Sequence, residues 1–259
     1  MKPVLAFDIE TIPDVAGIRR LHDLPADLPD HEVAEVAFQI RRTKTGSDFL
    51  PPPLHRVVVV SCMLRNDEGI QVFSIGEPER GEPEILQKFF EGVDKLVPQL
   101  VSWNGGGFDL PVMNYRGLIH GISAPTFWET GDENRDFRYN NYISRYHSRH
   151  LDLMDVLAMY QPRNNAPLDD VAQLAGFPGK IGIGGAKVWE TWLAGDIAKI
   201  RDYCEADTAN TYLLYLRYQL LRGVVTEDSY RKEIQLLKKH LKELDKPHWR
   251  EFLQLWNEA

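Results

Sequence analysis

Cysteine is scarce: Cys62 and Cys204 are the two present among 259 residues. Two thiols cannot staple a chain of this size, and they do not by themselves complete a zinc site. Both sit in apolar surroundings, so buried free thiols in a reducing, cytoplasmic compartment are expected. No apolar run approaches the roughly 20 residues that a bilayer requires, which excludes a spanning helix and a membrane partner. There is no surplus of positive charge either: 30 Lys and Arg stand against 38 Asp and Glu, a formal charge of −8. A protein that simply coats nucleic acid should be basic. An acidic chain can still act on nucleic acid if part of its negative charge forms a metal site. The opening residues enter strand-like sequence too soon for a signal peptide, so the mature chain is expected to begin at or near Met1. Internal repeats and low-complexity tracts are absent.

What is there has an ordinary globular composition, 43% hydrophobic and 26% charged. Lys2 to Ile9 reads as a buried strand. Residues 14–53 are polar and proline-punctuated, an insertion with one or two helices around His31 to Lys44. Strands are predicted at Arg56 to Arg65 and Ile70 to Ile75, joined by the turn-forming 66–69 as a hairpin. A helical period covers Glu84 to Val97, a short strand Leu100 to Trp103, and a helix starts near Phe108. From Leu151 the chain reads as helical, at about 151–161, 167–175, 185–193 and 196–221. This order predicts an α/β fold, a mixed sheet flanked by helices. The division expected is 1–222 as the main domain and 223–259 as a helical extension of two amphipathic segments. Tyr230, Ile234, Leu237, Leu241 and Leu244 stripe the first segment, and Trp249, Phe252, Leu253 and Trp256 the second. So short a heptad favours docking on its own domain over a coiled coil, with a homodimer or partner contact as the alternative.

Three acidic sites carry the chemistry. Asp8 and Glu10 alternate with Phe7 and Ile9, so both carboxylates leave one face of the first strand, about 6.6 Å apart at Cα. A solvated acidic pair at a strand end is the bland alternative. Asp109 follows the glycine run 105–107 and opens a helix, where capping is an equal explanation. Tyr203 and Asp207 stand at i, i+4 on a helix and share a face, a pattern that a core-edge tyrosine also produces. Gathered together, four acids would raise one another's pKa and call for cations. Hard divalent ions take oxygen ligands, and two of them about 3.5–4 Å apart clamp a phosphodiester for in-line attack.

Other segments are weaker signals. Residues 135–150 hold four arginines and one acid, with Tyr139, Tyr142 and Tyr146 interleaved. That mixture suits single-stranded nucleic acid and makes Arg145 and Arg149 substrate-contact candidates. A surface loop pairing with the excess acids is the alternative. His150 and Asp152 read better as a helix start with Asp152 capping than as ligands. Residues 182–187 lack the ending of a phosphate loop and read as a turn, with Lys180 and Lys187 as phosphate candidates.

The segments Phe-Asp8-Ile-Glu10-Thr, Asn104-Gly-x-x-Phe-Asp109 and Tyr203-x-x-x-Asp207, in that order, resemble the three motifs of the DEDD superfamily of 3′–5′ exonucleases. The tyrosine points to the DEDDy branch, since the sibling branch needs a histidine where Asp202 stands. The stretches 145–154 and 168–180 are similar to those of stand-alone predicted exonucleases related to the proofreading domain of family B DNA polymerases. The likeness spans about 2–222 and implies a ribonuclease H-like fold. It implies a catalytic set of Asp8, Glu10, Asp109, Tyr203 and Asp207, the four acids holding two divalent ions, Mg²⁺ or Mn²⁺. Asp8 would bridge both ions and Tyr203 would orient the attacking water. Thr11, Asn104 and Phe108 would meet the strand end. The implied activity is removal of nucleoside 5′-monophosphates from a free 3′ end of single-stranded nucleic acid, DNA favoured. With only 37 residues after position 222, any editing role is expected to require a polymerase elsewhere. The rival readings are a non-cleaving nuclease-fold module and a two-carboxylate glycosidase built on Asp8 and Glu10.

Overall fold

The structure, a computed structural model, describes residues 2–76 and 81–258. Met1, the expected start, and Ala259, the end of the expected tail, lie outside the described residues. The first strand, β1 (Val4–Pro13), runs four residues beyond its predicted end. The extension exists because Thr11 to Pro13 stay paired with β2 (His55–Asn66) past an irregularity at Glu10/Thr11. There Glu10 faces Val59 and Thr11 faces Val57, leaving Val58 as the extra residue of a bulge.

Between these two strands the chain makes an excursion with α1 (Val15–His22) and α2 (Asp30–Thr45). Ile18, Val33, Ala37 and Leu50 give it a small apolar core of its own. Its base is closed where the Asp14 N–H donates to the Leu54 carbonyl at 2.8 Å.

The hairpin predicted next is formed by β2 and β3 (Gly69–Ile75), antiparallel. Then come α3 (Glu82–Leu96), β4 (Gln99–Ser102), α4 (Asp109–His120) and the single turn α5 (Pro125–Trp128). The helix expected over 151–161 is a correction. His150–Asp152 is a strand, β5, followed by the short helix α6 (Leu153–Leu157). Parallel pairing of His150 to Asp152 with Leu100 to Ser102 captures these residues, a long-range contact that local propensity does not record. The remaining helices are α7 (Leu168–Leu174), α8 (Val188–Leu193), α9 (Ile197–Leu221), α10 (Glu227–Leu244) and α11 (Pro247–Glu258).

The sheet order is β3-β2-β1-β4-β5, with β1 central, antiparallel to β2 and parallel to β4. Side-chain alternation along β1 assigns its two faces. Leu5, Phe7 and Ile9 pack with Ile85, Phe89 and Phe90 of α3 and Val112 and Met113 of α4. Val4 and Ala6 face the opposite layer with Ala206, Ala209 and Leu213 of α9. Asp8 and Glu10 continue that second series, so the strand aims both acids toward α9.

Helix α9 is buried at every position along 203–216, the pattern of a helix enclosed all round. The sheet covers one flank and the tail covers another, with Leu237 and Leu241 of α10 and Trp249 and Phe252 of α11 fully buried in the α9 cluster. Each such side chain contributes about 1.5–3 kcal/mol by burial. Tyr230, Leu237 and Leu241 of the first stripe are thus buried inside the molecule, with Ile234 and Leu244 partly so.

Candidate active site

The acids meet in the crevice beyond the carboxyl ends of the parallel strands, the usual place for a ligand in an open sheet of this kind. Pairing of β1 with β4 stops at Ala6/Val101. Past that point the Ile9 N–H is free of the ladder, and the Asp109 carboxylate accepts it at 3.2 Å. Asp109 is the first residue of α4, and no side-chain bond caps that helix; its carboxylate reaches β1 instead. From the other layer α9 delivers Tyr203, Cys204 and Asp207. The Cys204 thiol donates to the Asp8 carboxylate and to the Asp8 carbonyl, both at 3.4 Å. Ligand atoms of Asp8, Glu10 and Cys204 lie within 4.8 Å of one another.

Burial dominates the electrostatics. It raises the pKa of Asp8 and Glu10 well above the ordinary range, and the neighbouring carboxylates, Asp109 and Asp207 among them, raise both further. Burial pushes Asp109 up to about 7, against the opposing pull of the Ile9 N–H. It pushes Asp207 up to about 6, against Tyr203 and Lys180. Burial and the adjacent carboxylates of Asp207, Glu10 and Asp8 hold the Tyr203 phenol far above its usual range, so it stays protonated. Asp207 Oδ1 is buried with no hydrogen-bond partner. An orphaned carboxylate oxygen beside three more acids is a poor arrangement for a bare protein, and a donor set that fits a hard divalent cation.

The glycine run is held from β5. Asn104 adopts φ +66°, a left-handed conformation that asparagine tolerates. The Asp152 carboxylate accepts the N–H groups of Asn104 and Gly106, each at 2.9 Å, and of Asp155 at 3.3 Å. Asp152 thus caps α6, as the sequence predicts, and also pins the loop that launches Asp109. A Cβ at Gly105 would collide with the Ser102 hydroxyl, which pairs with His150 Nε2 at 2.8 Å. His150 is buried and its pKa is pushed down to about 4, so the ring is neutral, with Nε2 already engaged by the Ser102 hydroxyl. Beside Glu10, the Thr11 hydroxyl pairs with His55 Nδ1 at 2.9 Å, and the His55 ring meets Phe108 edge-on at 5.0 Å.

Residues 47–256 match the family described as a predicted 3′–5′ exonuclease related to the exonuclease domain of PolB. The chain belongs to that family. The matched region includes Asp109, Tyr203, Asp207 and the tail helices; β1, with Asp8 and Glu10, lies before it. Among solved structures, the chain is similar to the family B DNA polymerase from the hyperthermophilic archaeon Pyrobaculum calidifontis. The TM-score is 0.51 and the identity 19%, over 85% of this chain and 25% of the polymerase. The chain thus spans about a quarter of that protein, and the likeness shows the fold, a ribonuclease H-like mixed sheet with a helical C-terminal region. No functionally curated protein matches the sequence.

For this exonuclease-family chain, the two arginines expected at the substrate have different surroundings. Arg149 is buried: its guanidinium lies 3.7 Å from the Phe137 ring centre and its Nε donates to the Asn140 carbonyl. That corrects the expectation of a substrate contact there, because the charge sits inside the fold. Arg145 stays at the surface but is held two-pronged by Asp155, at 2.5 and 3.1 Å, under Tyr146 and Tyr160. Lys180, flagged for phosphate, does come near the acids and lowers the pKa of Asp8, Glu10 and Asp207. The turn Gly185–Lys187 passes close to the Tyr203 hydroxyl. Sequence reasoning left out Cys204 and His55 as site neighbours. The first follows Tyr203 on the helix and was there to be read; the second needs the β1–β2 register.

A second set of metal-capable groups, Asp202, Glu205 and His248, has a different character. His248 bridges Asp202 at 3.0 Å and Glu205 at 2.9 Å, and Lys246 sits 3.1 Å from both Glu205 oxygens. Here the protein supplies its own cations, and the cluster works as a latch between α9 and α11.

Proposed function

We propose that this protein is a two-metal 3′–5′ exonuclease that hydrolyses phosphodiester bonds at the 3′ end of single-stranded nucleic acid, DNA favoured. The products are nucleoside 5′-monophosphates. The observation that carries this reading is the convergence of Asp8, Glu10, Asp109 and Asp207, with Asp207 Oδ1 buried and unpartnered. These four carboxylates would hold two divalent ions, Mg²⁺ or Mn²⁺. Bound there, the ions supply Lewis-acid charge at the scissile phosphate and lower the pKa of the attacking water.

The chain's own residues orient and hold. Tyr203 keeps its proton, so it serves as a fixed hydroxyl that positions water and not as a base. Cys204 holds the Asp8 carboxylate by its thiol proton. Asp109 is fixed to β1 through Ile9, so the two motifs move as one body. Thr11, Asn104 and Phe108 border the acids where a strand end would enter, with Lys180 as a nearby positive charge for phosphate.

Digestion of 5′-labelled single-stranded DNA and RNA, with chelator and then with Mg²⁺ or Mn²⁺, tests the proposal. A metal-dependent ladder shrinking from the 3′ side supports it. Binding without turnover in either ion would mark a non-cleaving module instead.

A further inference from the structure

Phe49 has no part in the motifs, yet it stands at the rim of the site as a large apolar side chain 57% exposed. Its ring centre lies 5.3 Å from that of Phe108 and 5.0 Å from that of His55. With the His55–Phe108 contact the three rings form a continuous aromatic wall. This wall is tied to two of the three acidic motifs. Phe108 immediately precedes Asp109, and His55 holds Thr11, which immediately follows Glu10.

The backbone that presents Phe49 is pinned although its side chain is open. Arg41 Nε donates to the Phe49 carbonyl at 2.9 Å, and the Phe49 N–H donates to the Ser47 hydroxyl at 3.2 Å. Leu50 is buried in the core of the excursion, and its carbonyl pairs with His55 Nε2 at 3.0 Å. A carbonyl can only accept, so Nε2 carries the ring proton and Nδ1 accepts from the Thr11 hydroxyl. An exposed aromatic ring on a fixed backbone is costly to leave in water and cheap to bind with, since little ordering remains to be done.

We propose that Phe49 is a substrate-positioning residue that, alongside Phe108, stacks on the base of the nucleotide at the 3′ end of the strand. This rests on the nucleic-acid reading above. Stacking suits an enzyme that must accept every base, because each base offers a π-face and no sequence is read. A ring in the wall's open edge also requires an unpaired terminal base, so the same residue favours a single-stranded end.

The test compares single strands that end in a normal nucleotide with strands that end in an abasic one. Affinity is measured by fluorescence anisotropy in Ca²⁺, with strand integrity checked on a gel. The parent protein should bind the base-bearing end at least about fivefold more tightly, the low end of one base's stacking. Phe49→Ala should narrow that gap, and Phe49→Trp should keep it. Phe49→Leu, which preserves apolar bulk without the π-face, should narrow it too and guards against a folding defect. No gap in the parent, or a gap unchanged in Phe49→Ala and Phe49→Leu, overturns the proposal. Turnover in Mg²⁺ or Mn²⁺ is read separately: its absence strikes at the exonuclease reading, while the base-dependent gap judges Phe49.

Discussion

The Asp109 carboxylate accepts the backbone N–H of Ile9 at 3.2 Å, so the acid that opens α4 is fastened to the strand that carries Asp8 and Glu10. One oxygen is thus structural while the charge stays available. Asp109→Asn keeps an acceptor for Ile9 and removes the charge. We expect a folded variant with a higher Tm, because a repelling buried acid is gone. Its nuclease rate should drop by more than the roughly 10–100-fold typical of residues that only support a metal ligand. Thermal melting and gel assays on the same preparation check both halves.

Stability should depend on pH in a direction set by the acids. A carboxylate whose folded pKa is raised contributes stability at low pH that is lost as pH rises through that pKa. Asp109 loses that contribution progressively from the ordinary carboxylate range up to about 7, and Asp8 and Glu10, raised well above their usual range, act in the same direction. His150, pushed down to about 4, acts oppositely but only below about pH 6.5, where its unfolded form still titrates. In chelator, Tm should therefore fall as pH rises from about 6.5 to 8. Divalent ion should restore it more at pH 8 than at pH 6. A flat or rising profile in chelator would contradict the clustered-acid account.

Asp152 is not one of the four clustered acids, yet it holds the Asn104 and Gly106 N–H groups. Asp152→Ala should cost about 1–3 kcal/mol through the unmet donors, read by denaturant melts. It should also lower kcat by loosening the approach to Asp109. Asp152→Asn, which keeps one good acceptor, should recover part of both losses.

Glu205 is the buried centre of the latch to α11. Glu205→Ala strands His248 and Lys246, and removal of one partner from a buried pair typically costs about 3–5 kcal/mol. The lower end is expected, since Lys246 is half exposed and screened. Limited proteolysis should then cut between α9 and α11 sooner than in the parent.

Much of this was legible in the residues. The alternation at Phe7-Asp8-Ile9-Glu10 gave the facing of the first pair, and the i, i+4 spacing of Tyr203 and Asp207 gave the third contribution. The α10 and α11 stripes announced a buried face. β5 was not legible, because three residues acquire strand character only from β4 beside them. Arg149 was misread for a related reason: composition shows a charge but not the Phe137 ring that covers it. Phe49 lay in a segment read as a polar insertion, and its proximity to Phe108 follows from where that segment closes, which no local pattern encodes.

That closure has a wider consequence. Pro13 and His55 are partners on one rung of the β1–β2 ladder, and the Asp14 N–H meets the Leu54 carbonyl just outside it. Forty-one residues therefore depart and rejoin the sheet at a single point, as a graft joins a stem. The material between can be lengthened, shortened or exchanged with little strain on the central strands, so the rim of the crevice is free to diversify while the acids stay where they are.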